Sequence, residues 1–183
     1  MRSRTNAAVP LLLALLTTSL AAQDRPDFSG SWTAATQPTS GSRGSASGGP
    51  GSGWGQAFSI RQDDDTLTVE RAFFTRPDLQ PALKLRYSLD GTEIRNEILM
   101  GRGIQELVTT AMWNDKELVL TTELEFPDPE SDRLLTTRVT RTLSLERPPP
   151  GRDAWPPSLV IETTRDGVAG GPASTTRTVY TRD

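Results

Sequence analysis

Apolar and polar residues alternate with a period of two along most of this chain, and turn residues interrupt the alternation at short intervals. The stretch Leu83–Leu89 alternates throughout and ends at Asp90-Gly91, a pair that favours a two-residue hairpin turn. Asp63–Asp65 and Asn114-Asp115 separate other alternating stretches in the same way. Beyond the N-terminal region, no stretch has the period of a helix. The pattern therefore predicts an all-β chain of consecutive antiparallel hairpins.

The number of alternating stretches predicts about 8–10 strands. A meander of that many strands commonly closes on itself, because closure removes the unpaired edges. We therefore expect an antiparallel up-and-down β-barrel, with a β-sandwich as the alternative. One face of each strand should form the core, and the alternation assigns to it Phe58, Ile60, Leu67, Val69, Leu85, Tyr87, Ile94 and Ile98.

The first 22 residues have the order of a secretory signal peptide. Two arginines precede an apolar stretch over residues 7–16, and Ser19 and Ala21 occupy the −3 and −1 places of a cleavage site. The apolar stretch is roughly half of the ~20 residues that a membrane span needs. We expect residues 1–22 to be cleaved and residues 23–183 to form a single domain, exported to the periplasm or the external medium.

Residues 36–55 consist almost wholly of Gly, Ser, Pro and Thr. Such a composition cannot bury enough apolar area to offset the entropy lost on ordering, so it predicts a flexible loop. Loops of this length are uncommon inside compact domains unless they have a function. The segment is therefore interpreted either as a lid or as an unstructured insertion.

Composition excludes several kinds of chemistry. The chain has 20 basic and 23 acidic residues, and loss of the two arginines of the expected signal would change its net charge from −3 to −5. This balance argues against nucleic acid and against an anionic membrane surface as partners. Cysteine and histidine are both absent from the sequence, which removes thiol chemistry, the commonest general base and the commonest metal ligand. We expect a non-catalytic protein without a metal or cofactor.

Carboxylates offer the remaining route to metal binding or hydrolysis. Asp63–Asp65 and residues 128–132 lack the Gly and Glu of an EF-hand loop, so we interpret both as turns. Glycoside hydrolysis needs two carboxylates about 5–9 Å apart across a cleft. The glutamates that could supply such a pair alternate with apolar neighbours and should face solvent; they are Glu106, Glu123, Glu125 and Glu162. A carboxylate-dependent hydrolase is therefore only the third functional hypothesis.

The segment Phe28-Ser29-Gly30-Ser31-Trp32, at the head of the first predicted strand, resembles the G-x-W motif of lipocalins and other calycins. In those barrels the Trp closes one end, an Arg from a late strand packs across it, and a long first loop covers the open end. The resemblance implies barrel closure by Trp32 with Arg177 or Arg182. It also implies a lid at residues 36–55. The segment is similar, too, to uncharacterised bacterial exported proteins that begin with F-S-G-x-W.

The expected barrel suggests a function because eight strands enclose an interior that side chains can fill or that one small ligand can occupy. We expect an exported binding protein for a small apolar or amphipathic molecule. Aromatic residues at the expected mouth and on the inner wall are the predicted ligand contacts: Trp54, Phe73 and Trp155 at the mouth or rim, and Phe58 and Tyr87 on the wall. The alternative is a protein–protein interaction module of the cell envelope with a filled core, using Leu134–Leu145 or an open edge for strand addition.

Overall fold

The computed structural model describes residues 25–35, 54–71, 82–100, 103–128, 131, 133–148, 150–151, 156–167 and 171–183. The expected signal peptide, residues 36–53, Phe73 and Trp155 lie outside these ranges. The described part of the chain is all-β, as predicted, and contains no helix long and apolar enough to cross a membrane. Its ten strands are β1 Gly30–Ala34, β2 Ala57–Gln62, β3 Thr66–Arg71, β4 Leu83–Ser88, β5 Ile94–Met100, β6 Gly103–Asn114, β7 Glu117–Pro127, β8 Leu134–Glu146, β9 Ser158–Arg165 and β10 Ser174–Arg182.

All ten strands belong to one antiparallel sheet with the order β4-β3-β2-β1-β10-β9-β8-β7-β6-β5. Apart from β4 and β5, described strands that follow each other in the chain pair with each other, and β1 also pairs with β10. β4 and β5 have no backbone ladder between them; they form the two edges of the sheet and lie against each other. This confirms the up-and-down barrel, which is nearly closed, and not the β-sandwich.

The connection between β4 and β5 differs from the predicted hairpin. A turn does form at Asp90-Gly91, where Gly91 has a φ of 88° and the Asp90 carboxylate accepts a hydrogen bond from Thr92 N at 2.8 Å. Beyond the turn the two strands separate and exchange no ladder of backbone hydrogen bonds. A turn signal describes the local backbone only, so it does not determine whether the flanking strands stay paired.

Asn96 joins these two edges through its side chain. Its Oδ1 accepts a hydrogen bond from Arg86 N at 2.8 Å, and its Nδ2 donates to Arg86 O at 2.9 Å. The amide thus makes both of the bonds that a residue would exchange across an antiparallel pair. Asn96 is buried, in the same inward phase as Ile94 and Ile98. We call the junction of β4 and β5 the seam. The Asn96 side chain replaces part of the backbone ladder that is missing there.

Inward-facing side chains form one hydrophobic core that runs around the barrel. The register places Ile60 opposite Val69 and Val69 opposite Leu85, so three neighbouring strands present these residues to the same side. All the residues assigned to the core from the alternation are buried except Ile94 and Ile98, which are half-buried. On the far side of the barrel the core continues through Leu118, Leu120, Leu143, Leu159 and Ile161.

Replacement of Asn96 tests the seam. We expect Asn96→Ala to lower the free energy of unfolding by about 1–3 kcal/mol, because it leaves the buried N–H and C=O of Arg86 without partners. Urea denaturation measures this loss. Asn114→Ala is the matched control: Asn114 is exposed at the end of β6, and its replacement should change stability by less than about 0.5 kcal/mol. Equal losses in the two variants would contradict a specific role for Asn96.

Candidate functional site

The segment around the start of β1 is packed into the core of the barrel. Phe28 and Trp32 are fully buried, and Trp32 Nε1 donates a hydrogen bond to Phe28 O at 2.9 Å. The Phe28 ring stacks on Trp113 with 5.9 Å between the ring centroids. Gln62 holds the segment from β2, since its Oε1 accepts from Phe28 N and its backbone N–H donates to Ser29 Oγ, both at 3.0 Å. We call residues 28–32 the plug.

Gly30 is required at its position in the plug by both its backbone and its surroundings. Its φ is 141°, which disfavours residues with a side chain, and a β-carbon there would lie 3.2 Å from Arg182 Nε. Arg182 is the register partner of Trp32, and its guanidinium carbon lies 4.9 Å from the centroid of the Trp32 ring. This is the geometry of a cation–π contact. The glycine of the G-x-W sequence thus leaves room for the arginine that covers the tryptophan.

Arg177, the other arginine considered for barrel closure, lies on the outer face of the barrel. Its guanidinium pairs with the Glu146 carboxylate on β8. Arg177 and Arg182 are an odd number of residues apart on β10, so their side chains point to opposite faces of the strand. Of the two, Arg182 contacts Trp32.

Three of the residues predicted to contact a ligand lie together on the inner wall. Trp54 packs edge-on against Phe58 at 5.2 Å between ring centroids, and its centroid is 6.1 Å from that of Tyr87. Phe58 also contacts Tyr180 at 4.8 Å. The Tyr180 hydroxyl donates a hydrogen bond to Gly55 O at 3.1 Å, which ties the residues before β2 to β10. We call Trp54, Phe58, Tyr87 and Tyr180 the aromatic cluster, and all four are buried.

The inner wall also contains buried polar groups on β9. Thr163 Oγ1 and the Nε and Nη2 atoms of Arg165 are buried and have no hydrogen-bond partner. Both residues stand in the same inward phase as Leu159 and Ile161. The other buried threonines differ, because their hydroxyls bond to a second threonine or to a backbone carbonyl, as in Thr109···Thr122 and Thr137→Asp166, both at 2.9 Å. A buried donor without a partner costs about 1–3 kcal/mol, so Thr163 and Arg165 carry an energetic cost, as do the buried indole N–H groups of Trp54 and Trp113.

Arg141 faces the same region from β8. In the β8–β9 register it lies opposite Thr163 and diagonally next to Arg165. Burial lowers the pKa of the Arg141 guanidinium; the Tyr87 hydroxyl opposes this effect, and the charge of Arg165 adds to it. We call Arg141, Thr163 and Arg165 the inner polar site.

Charge is divided between the two faces of the barrel. The inward-facing positions of the described strands carry no Asp or Glu, and their charged residues are Arg71, Arg141, Arg165 and Arg182. The described strand carboxylates occupy the outer phase, where several form ion pairs, such as Glu70–Lys84 at 3.0 Å and Glu123–Arg138 at 3.0 Å. The charged residues at the inward-facing positions of the described strands are therefore all basic, although the whole chain has a net negative charge.

The outer face of β5, β6 and β7 carries a groove of about 760 Å³. Ile104 and Leu134, which line it, are 70% and 64% exposed. The charged residues that line the groove are Glu93, Arg95, Glu106, Glu123 and Glu125. Three of them, Glu106, Glu123 and Glu125, are glutamates considered above for hydrolysis. The fourth, Glu162, is exposed on β9. Among the described residues, no group of three or more acidic side chains is arranged to hold a metal ion.

The sequence pattern was not used to predict Asn96, Arg141 or Arg165 as inward-facing polar residues. Each of the two arginines nevertheless interrupts an apolar series along its strand. Arg141 stands between Val139 and Leu143 in the inward phase of β8, where a charged residue interrupts an apolar series. Arg165 ends the series that begins with Leu159 on β9 in the same way. A polar residue in the apolar phase of a strand is therefore the feature that would have indicated the inner polar site.

Comparison with known proteins adds no assignment, since no family model, no curated protein and no solved structure matches this chain.

Substitution of Gly30 tests the plug. Gly30→Ala should destabilise the fold by about 1–3 kcal/mol, because alanine strains this backbone conformation and its β-carbon crowds Arg182. Gly103→Ala is the matched control: Gly103 has no positive φ, and a β-carbon there would meet no atom within 4 Å. Urea denaturation of both variants should show a loss only for Gly30. A loss at Gly103 of the same size would argue against the proposed contact.

The two tyrosines of the chain report on the aromatic cluster. Burial raises the pKa of Tyr87 and of Tyr180. In the native protein, absorbance at the tyrosinate band should therefore show little ionisation at pH ~10, where an unfolded chain is about half ionised. Since the fold favours the neutral hydroxyls, this contribution to stability is present below pH ~10 and is lost as the pH rises towards the folded pKa.

A titration in concentrated guanidinium chloride supplies the unfolded reference. Native absorbance that follows the same curve as the denatured sample would show that the hydroxyls are not buried.

Proposed function

We propose that this chain is an exported, non-catalytic binding protein whose lipocalin-like barrel holds one small apolar or amphipathic molecule. The observation that carries the proposal is the inner polar site, where buried donors of Thr163 and Arg165 without hydrogen-bond partners are set in an apolar wall. Small-molecule sites are typically apolar surfaces with a few convergent polar groups. The aromatic cluster extends that wall from β2, β4 and β10.

The inner polar site and the plug lie towards opposite ends of the barrel. This position supports entry of the ligand from the end opposite the plug. Arg165 lies at the C-terminal end of β9 and pairs with Ser174, the first residue of β10. The plug contacts the other end of β10, at Arg182. Between these two ends the inward residues are mainly apolar. An amphipathic molecule that enters at the β9–β10 turn would therefore meet polar groups before the plug.

Chain order supports the lipocalin-like part of the proposal. The plug includes the start of β1, a long connection joins β1 to β2, and a meander follows. This is the order that the F-S-G-x-W resemblance implies, with residues 36–55 in the place of the lid. Export is proposed from the signal-like composition of residues 1–22. The absence of His and Cys from the sequence, with the described strand carboxylates on the outer face, favours binding over catalysis.

The outer groove favours a second candidate function, a protein–protein interaction module of the cell envelope. Exposed apolar side chains rimmed by polar residues are typical of interaction sites, and Ile104 and Leu134 stand among acidic residues. Strand addition could use β4 or β5, the edges of the sheet, or residues 134–138 of β8, which pair with β7 and have no ladder to β9. Over Val139–Leu143, β8 is paired with both β7 and β9 and offers no free edge.

Native mass spectrometry of the full chain, purified under gentle conditions from the cell that makes it, tests the proposal. We expect one small molecule bound per chain, and the intact mass also reports whether residues 1–22 have been removed. Thr163→Phe should abolish the adduct, because the ring would occupy space beside Arg165. A bare monomer would favour the interaction module instead.

Thr136→Phe is the matched control, since Thr136 is exposed on the outer face of β8. Circular dichroism should show native β-structure in both variants. An adduct that survives in Thr163→Phe, or that disappears equally in Thr136→Phe, would exclude the barrel interior as the binding site.

A further inference from the structure

We infer that the outer groove binds an extended segment of another protein in which basic residues alternate with apolar ones, and that this segment adds to the sheet between β6 and β7. The inference concerns the outside of the barrel and does not depend on a ligand in the interior. It follows from two unpaired stretches of strand, from the charge around them and from the apolar side chains beside them.

The sheet is interrupted between β6 and β7. Their ladder ends at Val108 and Glu123, although both strands continue. Among the described strands, residues 103–107 of β6 pair with β5 alone, and residues 124–127 of β7 pair with β8 alone. Backbone groups along a strand point alternately to its two sides, so each stretch directs some of them at the other without a ladder partner. We call these two stretches the β6–β7 gap.

The residues that would face each other across the gap explain why the ladder stops. Continued in the same register, the pairing would place Glu106 opposite Glu125 on the outer face, and like charges at directly opposed positions destabilise a strand pair. It would also place Ile104 opposite Pro127, which has no N–H to donate to a ladder. The two strands therefore disfavour direct pairing here, whereas a basic side chain between the two glutamates would neutralise both.

The charge of the outer groove favours a basic partner. Four glutamates line it, and Arg95 is the one basic residue among the described residues that do so. Arg95 is already engaged, since its guanidinium lies 2.6 Å from Glu106 Oε1 and 3.3 Å from Glu93 Oε1. Glu97, the register partner of Glu106 on β5, adds another exposed carboxylate. Glu125 forms no ion pair with a described residue. Complementary charge of this kind selects a partner and guides its approach.

Apolar side chains next to the gap favour alternation in the partner. Leu107 is half-buried and Leu124 is buried, both in the inward phase of their strands. Ile104 and Leu134 are largely exposed on the outer side, as is typical of interaction sites. A strand directs successive side chains to opposite faces of a sheet, so an inserted segment would set its apolar residues beside the two inward leucines and its basic residues among the glutamates. In strand addition, backbone hydrogen bonds give affinity and the alternate side chains give specificity.

Three short peptides test the inference. The first is acetylated and amidated Lys-Val-Lys-Val-Lys-Val, and the second is its acidic twin with Glu in place of Lys. Isothermal titration calorimetry with the full chain should show the basic peptide binding at least about tenfold more tightly, since its twin meets like charges. The third peptide is the basic one with N-methyl groups on its valines, which removes the donors towards one neighbouring strand. It should bind about tenfold more weakly than the first.

Amide hydrogen exchange locates the bound peptide. Residues 103–107 and 124–126 should exchange more slowly when the basic peptide is bound, because N–H groups in the gap gain partners. Exchange in β9, which is paired with both β8 and β10, should not change.

Glu106→Gln combined with Glu125→Gln should weaken the basic peptide by about tenfold or more, because glutamine keeps the shape of the side chain and removes its charge. Glu162→Gln is the matched control, since Glu162 is exposed on the outer face of β9, and it should bind the peptide as the unmodified chain does. Circular dichroism should show native β-structure in all these variants. Thr163→Phe should also bind the peptide normally, so failure of this inference and failure of the interior ligand are observed separately.

Several outcomes would overturn the inference. Equal binding of the basic and acidic peptides, or unchanged binding after both glutamates of the gap are replaced, excludes a basic partner. Binding that N-methylation leaves unchanged, or slower exchange at β4 and β5 instead of the gap, excludes strand addition between β6 and β7. Sedimentation velocity examines the other occupant: an unliganded dimer that the double glutamine variant dissociates would assign the groove to a second copy of this chain.

Discussion

Closure of the sheet is the constraint on which the rest of this structure depends. A ten-stranded antiparallel sheet has one apolar face, and it buries that face by curling until its edges meet. At β4 and β5 the backbones do not pair, and the Asn96 amide satisfies both backbone groups of Arg86 instead. The seam thus has side-chain hydrogen bonds where the backbone ladder is missing, and packing of β4 against β5 and β6 completes the closure.

Most polar groups of the plug are satisfied. The indole of Trp32 is hydrogen-bonded, Gln62 is bonded through its backbone and its side chain, and Arg182 lies over the ring that it covers, although the Nε1 of Trp113 beside the plug is buried without a partner. Towards the other end, Thr163 Oγ1 and the Nε and Nη2 atoms of the half-buried Arg165 are buried without a partner. The plug therefore has the character of a structural element. The inner polar site has an energetic cost that a ligand would offset.

Alternation predicted most of the fold, because the side-chain period of a strand is a local property that each residue expresses without reference to distant strands. Six of the eight residues assigned to the core are buried, from Phe58 on β2 to Tyr87 on β4. The prediction at Asp90-Gly91 was wrong in one respect: the turn forms, but β4 and β5 do not pair beyond it. The turn residues specify only the local backbone. Strand pairing depends on the curvature of the whole sheet, which the turn residues do not specify.

The candidate site was predictable in part. The sequence predicts Trp54, Phe58 and Tyr87 as ligand contacts, and the fold places them in one cluster. Arg141 and Arg165 were not identified, because each appears in the sequence as one more arginine in a Thr-rich strand. Arg141 points to the same face of β8 as Val139, and Arg165 points to the same face of β9 as Leu159. These arginines are therefore recognised as inward-facing only after each strand's inner and outer faces are known.

By itself, the sequence determined the strands, their apolar faces, the plug segment and the absence of His and Cys chemistry, since these follow from residue identity and short-range periodicity. Only the tertiary structure decided which inward residues meet. The register of β8 against β9 makes Arg141 and Arg165 neighbours, although they are 24 positions apart in the chain. Closure then brings Tyr87 of β4 within electrostatic reach of Arg141. Contacts of this kind depend on the stagger of strands around a closed sheet, a property of the whole barrel that no local stretch of sequence encodes.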